Sequence, residues 1–146
     1  MFKINLSEKS GKTYKLELES EELLGKTLKE IINGKDLSAD LEGYEFEITG
    51  ASDKSGFPAF EEVEGVGLKK LLLTYGKGMK QRPKKEGKKK RATKRPKGLR
   101  LRKTVRGKVI SLATVQINMK VVKQGKNKLE TLYAKKQEAN SEEKKE

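Results

Sequence analysis

The sequence predicts a mostly β fold: a small antiparallel six-stranded barrel or rolled sheet with one short helix, a long basic loop and a short C-terminal tail. Two observations lead to this prediction. Apolar and polar residues alternate in several short segments separated by glycine-rich or polar turns, which is the pattern of half-buried strands. Only 33% of the 146 residues are hydrophobic, so the core must be small, and closing a small sheet removes its exposed edges.

We expect one β-barrel domain over residues 1–125, interrupted by a basic tract at 77–106. Its core is predicted to come from residues 1–76 and 105–124. Residues 126–146 are expected to form a C-terminal tail that is weakly helical or disordered. No run approaches 18 consecutive apolar residues, so the sequence predicts neither a transmembrane helix nor a signal peptide, and we expect an intracellular protein.

The first 18 residues predict a β-hairpin. Apolar residues alternate with charged or polar ones in two runs, at Phe2, Ile4 and Leu6 and again at Tyr14, Leu16 and Leu18. Because side chains of a strand alternate between its two faces, each run has one face for the core. The turn-like segment S-E-K-S-G-K at 7–12 joins the two strands.

A short helix is predicted between about residues 20 and 33. Ser20 is a suitable N-cap, and the Asn-Gly pair at 33–34 is a natural helix end. Gly25 weakens the middle of the segment, so the helix could instead begin just after it. The apolar residues at helical spacing are Leu23, Leu24, Leu28, Ile31 and Ile32.

Four more strands are predicted in the rest of the chain. Their apolar positions are Tyr44, Phe46 and Ile48 in the third strand, residues 68–73 in the fourth, Val105, Val109, Ile110 and Leu112 in the fifth, and Val115, Ile117, Met119 and Val121 in the sixth. The sixth strand has the clearest alternation in the chain. The fifth is expected to bring the chain back into the barrel after the basic tract.

The positive charge is concentrated in one segment. The net charge is +14, made up of −5 over residues 1–76, +16 over 77–108 and +3 over 109–146. Such a segment repels itself and lacks apolar residues, so we expect an extended loop when it is free in solution. Its expected role is to neutralise a polyanion, with an affinity that falls steeply with salt. The alternative is a solvated charge run or a localisation-type patch.

The residue types in the tract favour recognition of folded RNA by shape and backbone. Arginines can bind phosphates bidentately, prolines and glycines oppose a regular helix, and aromatic residues for base stacking are absent. The residues predicted to bind RNA are Lys54, Lys77, Lys80, Arg82, Lys84, Lys85, Lys88, Lys89, Lys90, Arg91, Lys94, Arg95, Lys97, Arg100, Arg102, Lys103 and Arg106.

The loop at 50–58 admits two interpretations. Its two glycines and Lys54 could form a phosphate cradle, because glycine lets backbone amides approach an anion. It lacks the spacing of a nucleotide-binding P-loop, and the residues alone favour an ordinary turn between strands. In that case Phe57 is tucked into the core and Pro58 stiffens the exit.

The composition argues against an enzyme. The chain has no His and no Cys, so the usual acid/base group, thiolate nucleophile and zinc ligands are missing. The cluster Glu61, Glu62 and Glu64 is interpreted as surface acids. We therefore predict no catalytic residue, no metal and no cofactor.

Four segments occur in an order that is typical of one family. They are G-A-S-D-K-S-G-F-P at 50–58, K-L-L-L at 70–73 followed by a glycine, R-K-T-V-R-G at 102–107 and V-Q-I-N-M-K-V-V-K-Q-G at 115–125. Together they strongly resemble the archaeal and eukaryotic small-subunit ribosomal protein six family (the six-e family). The resemblance covers about residues 1–125, and the D-K-x-G-F-P loop combined with R-K-T-V-R-G is its specific part.

The resemblance implies a small β-barrel in the body of the cytoplasmic small ribosomal subunit. Its partners would be small-subunit ribosomal RNA and neighbouring ribosomal proteins, with no membrane and no small-molecule substrate. Its function would be that of a structural constituent that supports subunit assembly and translation. Eukaryotic members carry a long basic C-terminal helix with regulatory serines. This chain ends in a short mixed-charge segment, so it resembles the archaeal type.

An alternative function is a free-standing architectural or regulatory nucleic-acid-binding protein with a basic arm. The two functions differ in where the protein is found, because a ribosomal protein co-sediments stoichiometrically with small subunits. For the ribosomal function, replacing Arg102, Lys103 and Arg106 with Ala is expected to weaken RNA binding by a few kcal/mol in total and to flatten its salt dependence.

Overall fold

The computed structural model describes residues 1–19, 22–80, 97–125 and 128–133. Within these ranges the strands are β1 (Phe2–Ser7), β2 (Thr13–Leu18), β3 (Ile31–Asn33), β4 (Glu45–Asp53), β5 (Leu68–Leu73), β6 (Leu101–Arg106) and β7 (Thr114–Lys123). Two short 3-10 turns, Gly34–Asp36 and Ala39–Leu41, precede β4. A single helical turn, α1, covers residues 129–133. The predicted N-cap at Ser20, the middle of the basic tract and the end of the tail lie outside the described residues.

The predicted mostly β class is confirmed. The described strands number seven and form two open sheets, so the closed barrel and the count of six strands were wrong. Five strands make a mixed sheet in the order β2-β1-β7-β4-β3, and β5 pairs with β6 in a separate two-stranded ribbon. All pairings are antiparallel except β1 with β7, which run parallel. Closure of the five-stranded sheet would need a ladder between its edge strands, β2 and β3. The strand β3 has only three residues. The strands β5 and β6 pair with each other and do not extend the larger sheet.

The main core lies on one face of the five-stranded sheet. Most of its largest fully buried side chains come from the three central strands, namely Ile4, Leu6, Phe46, Ile48, Ile117 and Met119. The helical turn α1 adds Leu129 and Tyr133 to this cluster, and the Tyr133 ring stacks on Tyr14 with centroids 5.0 Å apart. Three buried hydrophobic residues, Val63, Met79 and Val105, lie outside the main cluster. They belong to the part of the molecule around the ribbon.

The predicted helix at residues 20–33 was wrong in the described part of that segment. The backbone has positive φ at Gly25 (80°) and Lys29 (71°), which a right-handed helix does not allow. Main-chain hydrogen bonds to two other parts of the chain hold the segment in place instead. Gly25 N–H donates to the Ile110 carbonyl, and Lys29 N–H donates to the Ile48 carbonyl. The leucines reach the core from turns, and the last residues form the edge strand β3.

The conformation at Gly25 gives a test that distinguishes a turn from a helix. In a helix, Gly25→Ala would stabilise the protein by up to about 1 kcal/mol. At φ 80° the added Cβ is strained although it would meet no atom within 4 Å, so we expect a loss of about 1 kcal/mol. Urea unfolding followed by circular dichroism measures the sign, and a more stable Ala variant would contradict the turn.

Most of the strand predictions are confirmed, and the fifth is wrong in its extent. The strand there is β6, which begins at Leu101 and ends at Arg106, so it includes the last six residues of the predicted basic tract. Val109 forms an isolated bridge with Thr27 and donates its N–H to the Gly65 carbonyl. Leu112 is 76% exposed. The apolar residues after Arg106 therefore pack individually or stay in solvent and do not continue the strand.

Candidate nucleic-acid interface

The basic tract begins and ends on the two-stranded ribbon. In the antiparallel pairing of β5 with β6, Leu68 lies opposite Arg106 and Leu73 lies opposite Leu101. The chain between the two strands therefore leaves and returns at the Leu73–Leu101 end. This geometry makes the ribbon a fixed base for the tract.

Exposed cations surround that end of the ribbon. Of the residues predicted to bind RNA, those exposed in the structure are Lys54, Lys77, Lys80, Lys97, Arg100 and Arg102, while Lys103 and Arg106 are partly buried. The remaining predicted residues, Arg82, Lys84, Lys85, Lys88, Lys89, Lys90, Arg91, Lys94 and Arg95, lie outside the described residues. Two of the exposed lysines follow β5 and two exposed cations precede β6, so four positive charges are brought to the same end.

The start of the tract is anchored on Phe60. Lys77 Nζ lies 5.3 Å from the centre of the Phe60 ring, a cation–π contact. Gly78 has φ 73°, and a Cβ there would come within 2.9 Å of the same ring, so glycine is required by both conformation and space. Met79 is fully buried, and its carbonyl accepts the Gly76 N–H at 2.9 Å. The tract therefore leaves the fold in a defined direction.

The Arg106 guanidinium is hydrogen-bonded within the protein. Its Nε and Nη2 atoms donate to Oδ2 of Asp53 at 3.0 and 2.9 Å, and its Nη1 donates to the Val66 carbonyl at 3.0 Å. The side chains are 15% exposed for Arg106 and 3% for Asp53. Main-chain bonds between Arg106 and the 58–60 segment add to this junction. The ion pair thus joins the D-K-S-G-F-P loop to the R-K-T-V-R-G strand, two of the segments singled out in the sequence.

Asp53 also organises the loop that follows it. All four amides of residues 54–57 are used within the protein, so they form no open cradle for phosphate. Their acceptors are the Asp53 carboxylate for Ser55 and Phe57, the Asp53 carbonyl oxygen for Gly56 and the Ala113 carbonyl oxygen for Lys54. The geometry is that of an Asp-centred turn, which presents the Lys54 side chain to solvent.

The Asp53 carboxyl is ionised in this environment. Burial by itself raises the pKa of Asp53, but the Phe57 N–H and the Arg106 guanidinium stabilise the carboxylate and outweigh that effect. The net pKa therefore lies below the ordinary value of 3.8. The junction between loop and ribbon is consequently a charged pair throughout the neutral pH range.

The loop that carries Lys54 and the strand ends of the tract attach to opposite ends of the ribbon. Asp53 meets Arg106 at one end of the ribbon, and the tract leaves from the other end. Six strand residues span about 17 Å, so the Lys54 loop and the Leu73–Leu101 end of the ribbon are about that far apart. Lys77 itself folds back onto Phe60, whose N–H donates to the Arg106 carbonyl. A single ligand that touches both the loop and that end must be extended on that scale.

The acidic cluster behaves as a set of surface groups. Glu61 lies 3.8 Å from Lys29, and Glu64 pairs with Lys108 at 2.5 Å. No group of three residues with metal-ligating side chains is assembled among the residues that the structure describes. None of the helical segments in the described ranges has the length and hydropathy needed to span a membrane.

Comparison with known proteins gives one consistent result. Residues 2–134 match the family described as ribosomal protein S6e. The protein named small ribosomal subunit protein eS6 of Archaeoglobus fulgidus is 39% identical over 143 residues, covering 94% of this chain and 98% of the relative. Proteins of the same name from Methanocaldococcus jannaschii and Thermoplasma acidophilum are each 37% identical, covering 85% and 84% of this chain and 83% and 88% of the relatives.

Fold and site together define a class, a β protein that presents basic residues from a two-stranded ribbon. The family match over residues 2–134 narrows this class to one family. The chain belongs to the ribosomal protein S6e family. Members of that family are structural proteins of the ribosome, so family membership confirms the prediction that the chain is not an enzyme.

Proposed function

We propose that this protein is a structural constituent of the small ribosomal subunit that binds ribosomal RNA through the Lys/Arg-rich tract at 77–106. The observation that carries the proposal is the convergence of exposed cations on the end of the ribbon where the tract begins and ends. The archaeal relatives are named as proteins of the small ribosomal subunit, so the small subunit is the assembly that we propose. Neighbouring ribosomal proteins are the further partners that this assembly implies.

The proposed mechanism is electrostatic. The tract segment at 77–108 carries a net charge of +16, and RNA helices that pack closely need their phosphates neutralised. Each phosphate bound by Lys or Arg releases condensed counterions, which favours binding at low salt. The folded part of the chain fixes where the tract starts and ends, so less conformational entropy is lost on binding than for a free basic peptide.

The Lys54 loop is proposed as a second, separate RNA contact. The Asp-centred turn holds the loop backbone and leaves Lys54 exposed. Its distance from the tract suits an RNA backbone that runs along the ribbon. Arg106 is assigned a different role from the one that the sequence suggested, because its guanidinium is already bound by Asp53 and Val66.

The test is the salt dependence of binding to full-length small-subunit ribosomal RNA transcribed in vitro. We expect the logarithm of the affinity to fall linearly with the logarithm of the salt concentration, with a slope that reflects several phosphate contacts. Filter binding with the full chain gives this slope. An affinity that does not change with salt would overturn the electrostatic mechanism.

A further inference from the structure

The five-stranded sheet has a second face, opposite to the core, that is open to solvent. On β1 and β7 the residues that alternate with the core point to this side: Lys3, Gln116 and Lys120 are exposed, and Asn5 and Asn118 are half-buried. The face covers the middle of the largest sheet in the molecule. The basic residues predicted to bind RNA that fall within the described ranges lie outside β1 and β7.

The centre of this face is uncharged and polar. In the strand register, Asn5 of β1 and Gly50 of β4 lie on either side of Asn118, while Ser52 lies beside Gln116. We call these five residues the amide face. Four of them have carboxamide or hydroxyl side chains on neighbouring strands, and the fifth is the glycine.

Hydrogen bonds among the side-chain amides of this face fix their orientation. Asn118 Oδ1 accepts hydrogen bonds from Asn5 Nδ2 at 2.9 Å and from Gln116 Nε2 at 3.1 Å. These bonds leave the Asn118 amide N–H groups, and the side-chain carbonyl oxygens of Asn5 and Gln116, without a partner among the described residues. Donors and acceptors therefore alternate across three positions, fixed in orientation before any ligand arrives.

Gly50 keeps the face flat. Its backbone does not have the positive φ that demands glycine, and a Cβ there would meet only Asn118 Nδ2, at 4.0 Å. A larger residue would thus fit the fold and would project from the same side as the Asn118 amide. What glycine provides at this position is the absence of a side chain above the sheet.

We propose that the amide face docks against the minor groove of a ribosomal RNA helix. The minor groove of A-form RNA is wide and shallow and displays 2′-hydroxyls, which both donate and accept hydrogen bonds, as carboxamides do. A protein partner would call for buried apolar or aromatic anchors, which the face lacks. This inference rests on the proposed function and adds a second mode of RNA contact to it.

The borders of the face fit the same partner. Lys3, Lys15 and Lys120 lie on the same side of the sheet and can reach phosphates along the groove. Two of these lysines already have carboxylate neighbours, since Lys120 lies 2.8 Å from Glu47 and Lys3 lies 3.8 Å from Glu17. The net charge near the face is therefore small, and its binding energy should come mainly from hydrogen bonds that depend little on salt.

The test places a side chain on the flat surface with Gly50→Gln. We expect this variant to bind full-length small-subunit ribosomal RNA about tenfold more weakly at every salt concentration, with the salt slope unchanged, because it loses hydrogen bonds and no cations. Acylation of RNA 2′-hydroxyls should show one protected helix that is lost in the variant. The matched control is Gly67→Gln, where a Cβ also meets nothing within 4 Å and the site lies off the sheet.

The outcomes separate this inference from the proposed function. If the unmodified chain shows no salt-dependent RNA binding, the proposed function fails. If it binds with the expected slope and Gly50→Gln behaves like Gly67→Gln in affinity and footprint, the amide-face inference alone is overturned. Full RNA binding by Gly50→Gln with loss of a neighbouring protein from assembled subunits would also overturn it in favour of protein docking. Gln116→Ala, at an exposed position, repeats the test if Gly50→Gln does not fold.

Discussion

Asp53→Ala should lower the free energy of unfolding by about 3–5 kcal/mol, the cost of removing one partner of a buried ion pair. The Arg106 guanidinium would keep only its bond to Val66, and the loop amides would lose their shared acceptor. Small domains have only about 5–15 kcal/mol of stability, so the variant should unfold at a much lower urea concentration.

The control for this prediction is Glu64→Ala, which removes a carboxylate from an exposed pair with Lys108. An exposed pair contributes at most about 1 kcal/mol, so the two variants should differ clearly. Urea unfolding followed by circular dichroism measures both. Equal, small losses would show that the Asp53–Arg106 pair does not hold the loop to the ribbon.

The same pair predicts the direction of the acid response. Because the pKa of Asp53 is lower in the folded state than its ordinary value of 3.8, its contribution to stability is present above that value and is lost as the pH falls through the folded pKa. Asp53→Asn cannot titrate, so its stability should fall less than that of the unmodified chain below about pH 4. A steeper fall in the Asn variant would contradict the direction of the shift.

Replacing the exposed cations Lys97, Arg100 and Arg102 with Ala should reduce the salt slope of RNA binding by about 2–3, since each lost phosphate contact removes a little under one unit. These three positions lie at the end of the tract, where the chain returns to the ribbon. They leave the Asp53–Arg106 pair intact, so the fold should be unaffected.

The matched control removes three exposed lysines from elsewhere: Lys9, Lys35 and Lys123. It changes the net charge by the same amount. A general effect of charge would flatten both slopes equally, which would contradict a defined contact at the tract. The triple variant at Arg102, Lys103 and Arg106 is less informative than it seemed from the sequence, because losing Arg106 also breaks the buried pair.

Much of the strand content could be predicted from the sequence, because alternation records which side of a strand is buried. β1, β4 and β7 were predicted from that pattern alone. The same pattern says nothing about which edges pair. The parallel pairing of β1 with β7 joins Ile4 to Ile117, a long-range contact that leaves no local signal, and so the open sheet was mistaken for a barrel.

The predicted helix failed because leucine spacing is a weak sign when the backbone leaves the helical region. Leu23 and Leu28 are buried as expected, but turns and two residues with positive φ bring them to the core. Of those two residues, only Gly25 has a residue type that commonly adopts positive φ. Lys29 has a conformation that its residue type does not announce.

The candidate site, like the fold, could be predicted from the sequence only in part. Composition alone located the basic tract, because like charges close in sequence are visible without a structure. The role of Arg106 was missed, since the carboxylate that binds it lies 53 positions earlier in the chain. Asp53 had a local signal that could have been used, as Asp before a glycine-containing turn commonly accepts backbone N–H bonds. The amide face needed the strand register to be seen.

The central claim is that this chain is a structural component of the small subunit held by its charge on ribosomal RNA. Sucrose-gradient sedimentation of native extract at moderate and high salt, with immunodetection of the chain, tests it most directly. We expect one copy per small subunit at moderate salt and release only at high salt. A chain that stays at the top of the gradient, or sediments with DNA, would contradict the claim and favour a free-standing nucleic-acid-binding protein with a basic arm.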